Sequence, residues 1–262
     1  MAGTQRERAT RAVRAYAPEL LDAEIVELGR GLDNAVYAAG DLVLRVGDGR
    51  SVGREARLLE AVATYMSIPI PMPRFVDEHT GVLGYELIPG QPLLGRPPPA
   101  GAAQRLGRFL RNLHAIDPAT ATGLIPTEDA EPDAWLDGLD GPPDLVRILQ
   151  ATRPRPSPER VVTHADLGAE HILELDGTLT GIIDWSDAAI SDPALDLARL
   201  YRDFGPRFLE ALSRVYWPSP DAMPRVEFFA RCAALEDLAY GRATGRREYV
   251  ANAKRSLAWL FP

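Results

Sequence analysis

The sequence predicts an α+β chain in two parts: a small antiparallel sheet carrying one main helix, then a larger, mainly helical region. Three observations predict it. Short strand-like runs crowd into the first ninety residues, a proline- and glycine-rich run follows at 89–99, and beyond it apolar residues recur at helical spacing. The chain has 262 residues, 46% of them hydrophobic. That is enough to bury a real core in one large domain or two packed lobes.

Taken in order, the N-terminal MAGTQRERATRAVRAY is arginine-rich with no apolar centre, so it reads as an amphipathic helix and not as a secretory signal. Residues 24–28 (EIVEL), 35–39 (AVYAA) and 42–46 (LVLRV) read as strands. The first two are joined by the glycine-bearing turn GRGLDN and the last two by Gly40-Asp41. Residues 51–66 follow as a helix, because Val52, Ala56, Leu59 and Val62 recur at three- and four-residue steps after Ser51, the expected N-cap. SIPIPMP (67–73) holds too much proline for either element and predicts an extended connection. Two more strands are expected at 74–78 and 82–88, around a turn at His79-Thr80-Gly81. The run Pro89 to Pro99 predicts a boundary between an N-terminal nucleotide-binding lobe at 1–90 and a C-terminal lobe at 91–262. A helix at 100–116 places Leu106, Phe109, Leu110 and Leu113 on one face. The remainder reads as helices, 226–241 among them, interrupted by a hairpin of 171–175 and 179–183 turning at Asp176-Gly177.

Composition removes several classes of function. With 29 basic and 37 acidic side chains the formal charge is −8, which disfavours nucleic acid and anionic membrane as partners. The single cysteine, Cys232, cannot form an internal disulfide and fits a reducing cytosol, so a cytoplasmic location is expected. No run approaches the length of a membrane span. The only lysine is Lys254, and no Gly-Lys pair exists, so a P-loop is absent and Schiff-base chemistry is nearly excluded. Oligomeric state is not legible.

The chemistry concentrates between Val161 and Asp196, where His164-x-Asp166-x4-His171 precedes the hairpin and Ile183-Asp184-Trp185 follows it. Phosphoryl transfer asks for this kind of set: one carboxylate to orient an attacking hydroxyl, and two ligands to hold a divalent ion against phosphates. Asp166 suits the first task; His171 and Asp184 suit the second.

With those residues in view, the stretch resembles the aminoglycoside phosphotransferase family, small-molecule kinases related in fold to protein kinases. Asp192-Pro193 and Asp196-Leu197 match its D-P-x-x-D-L segment, and no A-P-E activation segment follows, which argues against a protein substrate. The resemblance implies a protein-kinase-like two-lobed fold, catalysis by Asp166, metal ligation by His171 and Asp184, and Mg²⁺ with ATP or GTP as co-substrate. Two departures stand out: Ala165 replaces the usual glycine, and His171 replaces asparagine. Imidazole is a softer ligand than an amide oxygen, so Mn²⁺ is a second candidate metal.

The nucleotide side is assigned to Gly29, Gly31 and Asn34 in the first turn, Arg45 on the third strand in place of the kinase lysine, and Glu55 as its helical partner. A guanidinium stays charged and can bind two phosphate oxygens, so the exchange is chemically sound. A glutamate on an apolar helix face needs a cation, and Arg45 is the nearest candidate. Glu86 and Ile88 occupy the hinge, where backbone groups would meet a base. Residues 127–146 carry seven acids and no base; from these Asp133 and Asp137, with Glu236 and Asp237 from 226–241, are the candidate acceptor contacts. An acidic surface suits a cationic aminoglycoside. The alternative acceptors are a macrolide, a peptide antibiotic or a small metabolite alcohol such as choline. Outside enzymes, the alternative is a silent nucleotide-binding module.

Overall fold

The computed structural model describes residues 4–30 and 34–262. Its first part is an antiparallel sheet of five strands: β1 (Ile25–Arg30), β2 (Ala35–Ala39), β3 (Leu42–Val46), β4 (Pro73–Asp77) and β5 (Val82–Glu86), in the order β1-β2-β3-β5-β4. The sheet is covered on both faces. Ala35, Tyr37, Ala39, Leu42, Leu44, Val46 and Val82 pack with helix α1 (Gln5–Tyr16) through Ala9, Ala12 and Val13. Val43, Leu83 and Tyr85, on the opposite pleat, pack with α2 (Gly49–Val62) through Val52, Ala56, Leu59 and Val62. Both helices expected in this part, the N-terminal one and the main one, are thus present. That double cover explains why LVLRV, apolar apart from Arg45, is buried at all five positions.

Local chemistry sets the helix starts. Thr4 and Glu7 form a reciprocal capping box at α1. At α2 the cap is Asp48, whose carboxylate accepts from the Ser51 N–H, so Ser51 lies inside the first turn and is not the N-cap.

The second part contains helices α3 (Ala102–His114), α4 (Pro132–Leu136), α5 (Pro143–Ala151), α6 (Ala194–Phe204), α7 (Pro206–Ser213), α8 (Met223–Thr244) and α9 (Arg247–Leu260). Between them lie two small sheets. β6 (Gln91–Pro92), β8 (Ile172–Leu175) and β9 (Thr178–Ile182) form one, and β7 (Val161–Thr163) pairs with β10 (Ala189–Ser191) in the other. β6, β7 and β10 are two or three residues long, too short to leave a period in the sequence. One continuous core runs from α2 and the inner face of the first sheet through Phe109 and Leu110 of α3 to Leu197, Leu200, Phe228 and Phe229 of α6 and α8. Among the described residues no helix is long and apolar enough to cross a membrane.

Candidate active site

The loop from His164 to His171 connects β7 to β8, and Asp184 lies just beyond β9, so the two short sheets bring the three residues together. His171 Nδ1 is 2.8 Å from the Asp166 carbonyl oxygen. A carbonyl only accepts, so Nδ1 carries a proton, and the ring turns Nε2 toward Asp184 Oδ2, 3.6 Å away. The ring is also 3.6 Å from Asp166 Oδ2. Burial opposes a charge on His171, but Asp166, Glu170 and Asp184 raise its pKa. Asp184 Oδ1 accepts from Arg45 NH1 and from the Ser186 hydroxyl, both at 2.9 Å. Burial works against its ionisation, yet Arg45 and then His171 hold its pKa well below the usual carboxylate range.

Backbone strain marks the same places. Ala165 and Asp184 adopt left-handed φ values of 64° and 62°. Each costs a non-glycine residue about 1–2 kcal/mol. The first is held by Asp196: its carboxylate accepts from the Ala165 N–H at 2.8 Å, the His164 N–H at 3.1 Å and His114 Nε2 at 3.0 Å. Tyr216, whose hydroxyl is 2.8 Å from His114 Nδ1, completes that chain. His164 donates from Nε2 to the Ile183 carbonyl at 3.1 Å and packs against Trp185, tying the loop to the Asp184 segment.

Three further charged groups on α6 reach the same loop, and sequence reasoning assigned none of them a role. Arg199 Nε lies 3.3 Å from Asp166 Oδ1. Asp203 Oδ2 accepts from the Ala169 N–H at 2.7 Å. Arg202, fully buried, meets Asp203, Glu170 and Asp237. Burial alone would raise the pKa of Asp166; Arg199, followed by His171 and Arg202, more than offsets it and keeps the carboxyl ionised. The available signal was the spacing of Asp196, Arg199, Arg202 and Asp203 at i, i+3, i+6 and i+7, along one face of an otherwise apolar helix.

On the sheet side, Arg45 is 4% exposed and its Nε is 2.9 Å from Glu55 Oε2, an ionic contact set off the line of a hydrogen bond. Burial raises the Glu55 pKa to about 7 against the pull of Arg45. Gly29 and Ile88 border a cleft of 730 Å³, with Val43, Tyr85 and Leu173 among its walls. Gly29, Asn34 and Arg45 border a second cavity of 570 Å³ that holds Asp166, His171 and Asp184. Glu86 is exposed at the end of β5 and its side chain lines neither. Gly31 lies outside the described residues.

Of the acidic candidates, Glu236 and Asp237 line the second cavity. Asp137 lines a third, of 460 Å³, beside Trp135, Asp140 and the shared Glu236. Asp133 borders none of these cavities: it points outward from the first turn of α4 and pairs with Arg153. Asp237 is itself tied to Arg202 at 3.1 Å. Burial raises its pKa to about 7 against the pull of Arg202, and the nearby carboxylates of Glu170 and Asp203 add to the rise.

The residues fit a divalent ion of the kind phosphates complete. His171 Nε2 and Asp184 Oδ2 lie 3.6 Å apart, a nitrogen and an oxygen that can share one ion, and among the described residues no group of three or more His, Cys, Asp and Glu forms a self-sufficient cage.

The model of the phosphotransferase enzyme family matches residues 24–229. Viomycin phosphotransferase from Streptomyces vinaceus is 31% identical over 111 residues, which span 40% of this chain and 39% of that enzyme. The fold is similar to that of the GDP and kanamycin complex of APH(2")-IIia, with a TM-score of 0.76 at 21% identity over 95% of this chain and 97% of that one. It is also similar to macrolide 2'-phosphotransferase MphH from Brachybacterium faecium, with a TM-score of 0.69 at 25% identity over 94% and 97% of the two chains.

Proposed function

The chain belongs to this phosphotransferase enzyme family and is an O-phosphotransferase acting on a small molecule, and from that premise we propose that it moves the γ-phosphoryl group of ATP or GTP to a hydroxyl of an aminoglycoside-like antibiotic. The observation that carries the reading is the meeting of Asp166, His171 and Asp184 in a cavity that adjoins an apolar cleft on one side and acidic walls on the other.

In this mechanism the base of the nucleotide enters the 730 Å³ cleft between Val43, Tyr85 and Ile88 and meets hinge backbone near Glu86. Gly29 and Asn34 border the cavity that takes the phosphates. Arg45, fixed by Glu55, presents its remaining NH2 to them. Asp166, kept ionised by Arg199, orients the acceptor hydroxyl and takes its proton as the new oxygen–phosphorus bond forms. The bond from the γ-phosphorus to the bridging oxygen breaks, and the nucleoside diphosphate leaves with that electron pair. His171 and Asp184 would hold Mg²⁺ or Mn²⁺, which when bound neutralises charge on the phosphates.

Glu236, Asp237 and Asp137 give the acceptor side its negative lining, suited to a polyamine sugar. The likeness to viomycin phosphotransferase supports a second reading, in which the acceptor is a peptide antibiotic. A coupled assay of NTP turnover against kanamycin, viomycin, a macrolide and choline tests both. Stimulation by kanamycin above the others supports the first reading. Stimulation by viomycin alone selects the second, and no stimulation by any of the four refutes the acceptor class.

A further inference from the structure

The 730 Å³ cleft and the 570 Å³ cavity share Gly29, Val36, Glu170, His171, Arg246 and Tyr249, and this seam is where a phosphoryl group would pass from nucleotide to acceptor. Arg246 is the cation among the six. It sits at the corner between α8 and α9, where Gly245 takes a φ of 73° and reverses the chain. The corner itself is firmly seated: a Cβ on Gly241 would stand 2.9 Å from both the Arg246 carbonyl oxygen and the Val250 nitrogen.

The Arg246 side chain is held differently from every other arginine of the site. Arg45, Arg199 and Arg202 each touch two or more carboxylates, and Arg30 is paired with Glu27. The half-buried Arg246 guanidinium rests instead over the rings of Tyr240, at 5.6 Å, and Tyr249, at 5.9 Å. Among the described residues it makes no ion pair and no side-chain hydrogen bond, so its donors are uncommitted. An anionic phosphoryl group entering this cavity meets Asp166, Glu170, Asp184, Asp187, Glu236 and Asp237. It therefore needs a cation whose charge is not already spent on those acids. A guanidinium held by ring faces can exchange them for phosphate oxygens without breaking an ion pair.

Resting on the kinase reading of the same site, we propose that Arg246 is a phosphoryl-binding residue, leaving the faces of Tyr240 and Tyr249 to hydrogen-bond the γ-phosphoryl oxygens of the bound triphosphate. Charge gathers on those equatorial oxygens during transfer, so a cation reaching them supports the transition state as well as binding.

The test compares two nucleotides on the full chain. Titration of Arg246→Ala with a β,γ-imido triphosphate and with the diphosphate, both in Mg²⁺, reads contact with the γ-phosphoryl group directly. The triphosphate analogue should lose about tenfold or more in affinity, the loss expected for a charge-assisted hydrogen bond. The diphosphate should stay within about twofold of wild type, because it has no γ-phosphoryl group to lose contact with. Arg246→Lys should recover part of the difference, and the melting temperature of both variants should match wild type, since the side chain has no buried partner. An equal loss for both nucleotides, or no loss for either, overturns the assignment. The kinase reading is checked separately by the wild type: if it binds neither nucleotide, that reading fails and the inference with it. If wild type binds both and Arg246→Ala keeps the same ratio, only the inference fails.

Discussion

Replacing Asp196 with alanine removes the acceptor of three hydrogen bonds at once, from the His164 and Ala165 N–H groups and from His114 Nε2. His164 is fully buried and His114 is 8% exposed, so water cannot readily take the place of the carboxylate. An orphaned buried donor costs about 1–3 kcal/mol. Allowing the partly buried Ala165 N–H some access to water, the variant should lose about 3–6 kcal/mol, a large share of the 5–15 kcal/mol that holds a domain together. Asp196→Asn keeps one oxygen for one N–H but turns an NH2 donor toward another, so it should fall between. Urea unfolding followed by tryptophan fluorescence measures the loss, and Trp185, packed against His164, reports from the site itself. Folded Asp196→Asn should also turn over about 10- to 100-fold more slowly, because Asp166 follows directly on the strained Ala165 and small misplacements of a catalytic group are costly. An alanine variant within about 1 kcal/mol of wild type would refute the reasoning, since three orphaned donors cannot be that cheap.

Asp166→Asn should abolish nearly all phosphoryl transfer with nucleotide affinity close to unchanged, as titration and turnover measured side by side would reveal. Asp184→Ala should weaken metal-dependent nucleotide binding, while His171→Asn should keep activity and shift preference from Mn²⁺ toward Mg²⁺; metal dependence unchanged from wild type in both variants would exclude them as ligands. Arg45→Ala should raise the nucleotide KM and lower kcat, Glu55→Ala should be milder, and the double variant should lose clearly less than the sum, because the 2.9 Å pair acts as one unit. Asp237 holds its proton up to a pKa of about 7 when folded and releases it near 3.8 when unfolded, so stability from this group falls as pH rises between about 4 and 7. Asp237→Asn should flatten that slope, which is at most about 1.4 kcal/mol per pH unit; urea midpoints across pH 4–8 that keep the wild-type slope would exclude the assignment.

What was legible in the sequence was what lies close along the chain or is forced by exclusion. The short strands and α2 carry their own periods, and the His164 to Asp184 stretch keeps its spacing because one hairpin separates its ends. Arg45 was found by elimination, since the only lysine stands near the C-terminus, and its approach to Glu55 follows from the cost of a lone buried carboxylate. Its second contact, with Asp184, spans 139 positions and left no local trace. The same holds for Asp133. Its charge was visible and its direction was not, because the first turn of α4 aims it outward at Arg153 rather than into a cavity.

The part of the site that stayed hidden is governed by α6. Along one face of this helix, Asp196 binds the N–H groups of residues 164 and 165, Arg199 meets the carboxylate of 166, Asp203 binds the N–H of 169, and Arg202 meets the carboxylate of 170. The helix therefore follows the loop almost residue by residue, in the same direction. A helix rises about 1.5 Å per residue against about 3.3 Å for extended chain, so seven helical residues match only a short loop, as long as that loop is curled. The 3₁₀ turn at Ala169–His171 and the left-handed Ala165 supply the curl. Loop strain and helix charge thus belong together. Without its ionic partners on α6 the loop would relax, and Asp166 and His171 would lose the separation that lets one face an acceptor and the other Asp184. Polar residues on a buried helix face ordinarily weaken a fold, because each must find a partner. Here each of the four finds its partner in the loop, which is why an acidic and basic stripe can sit in the middle of an apolar helix.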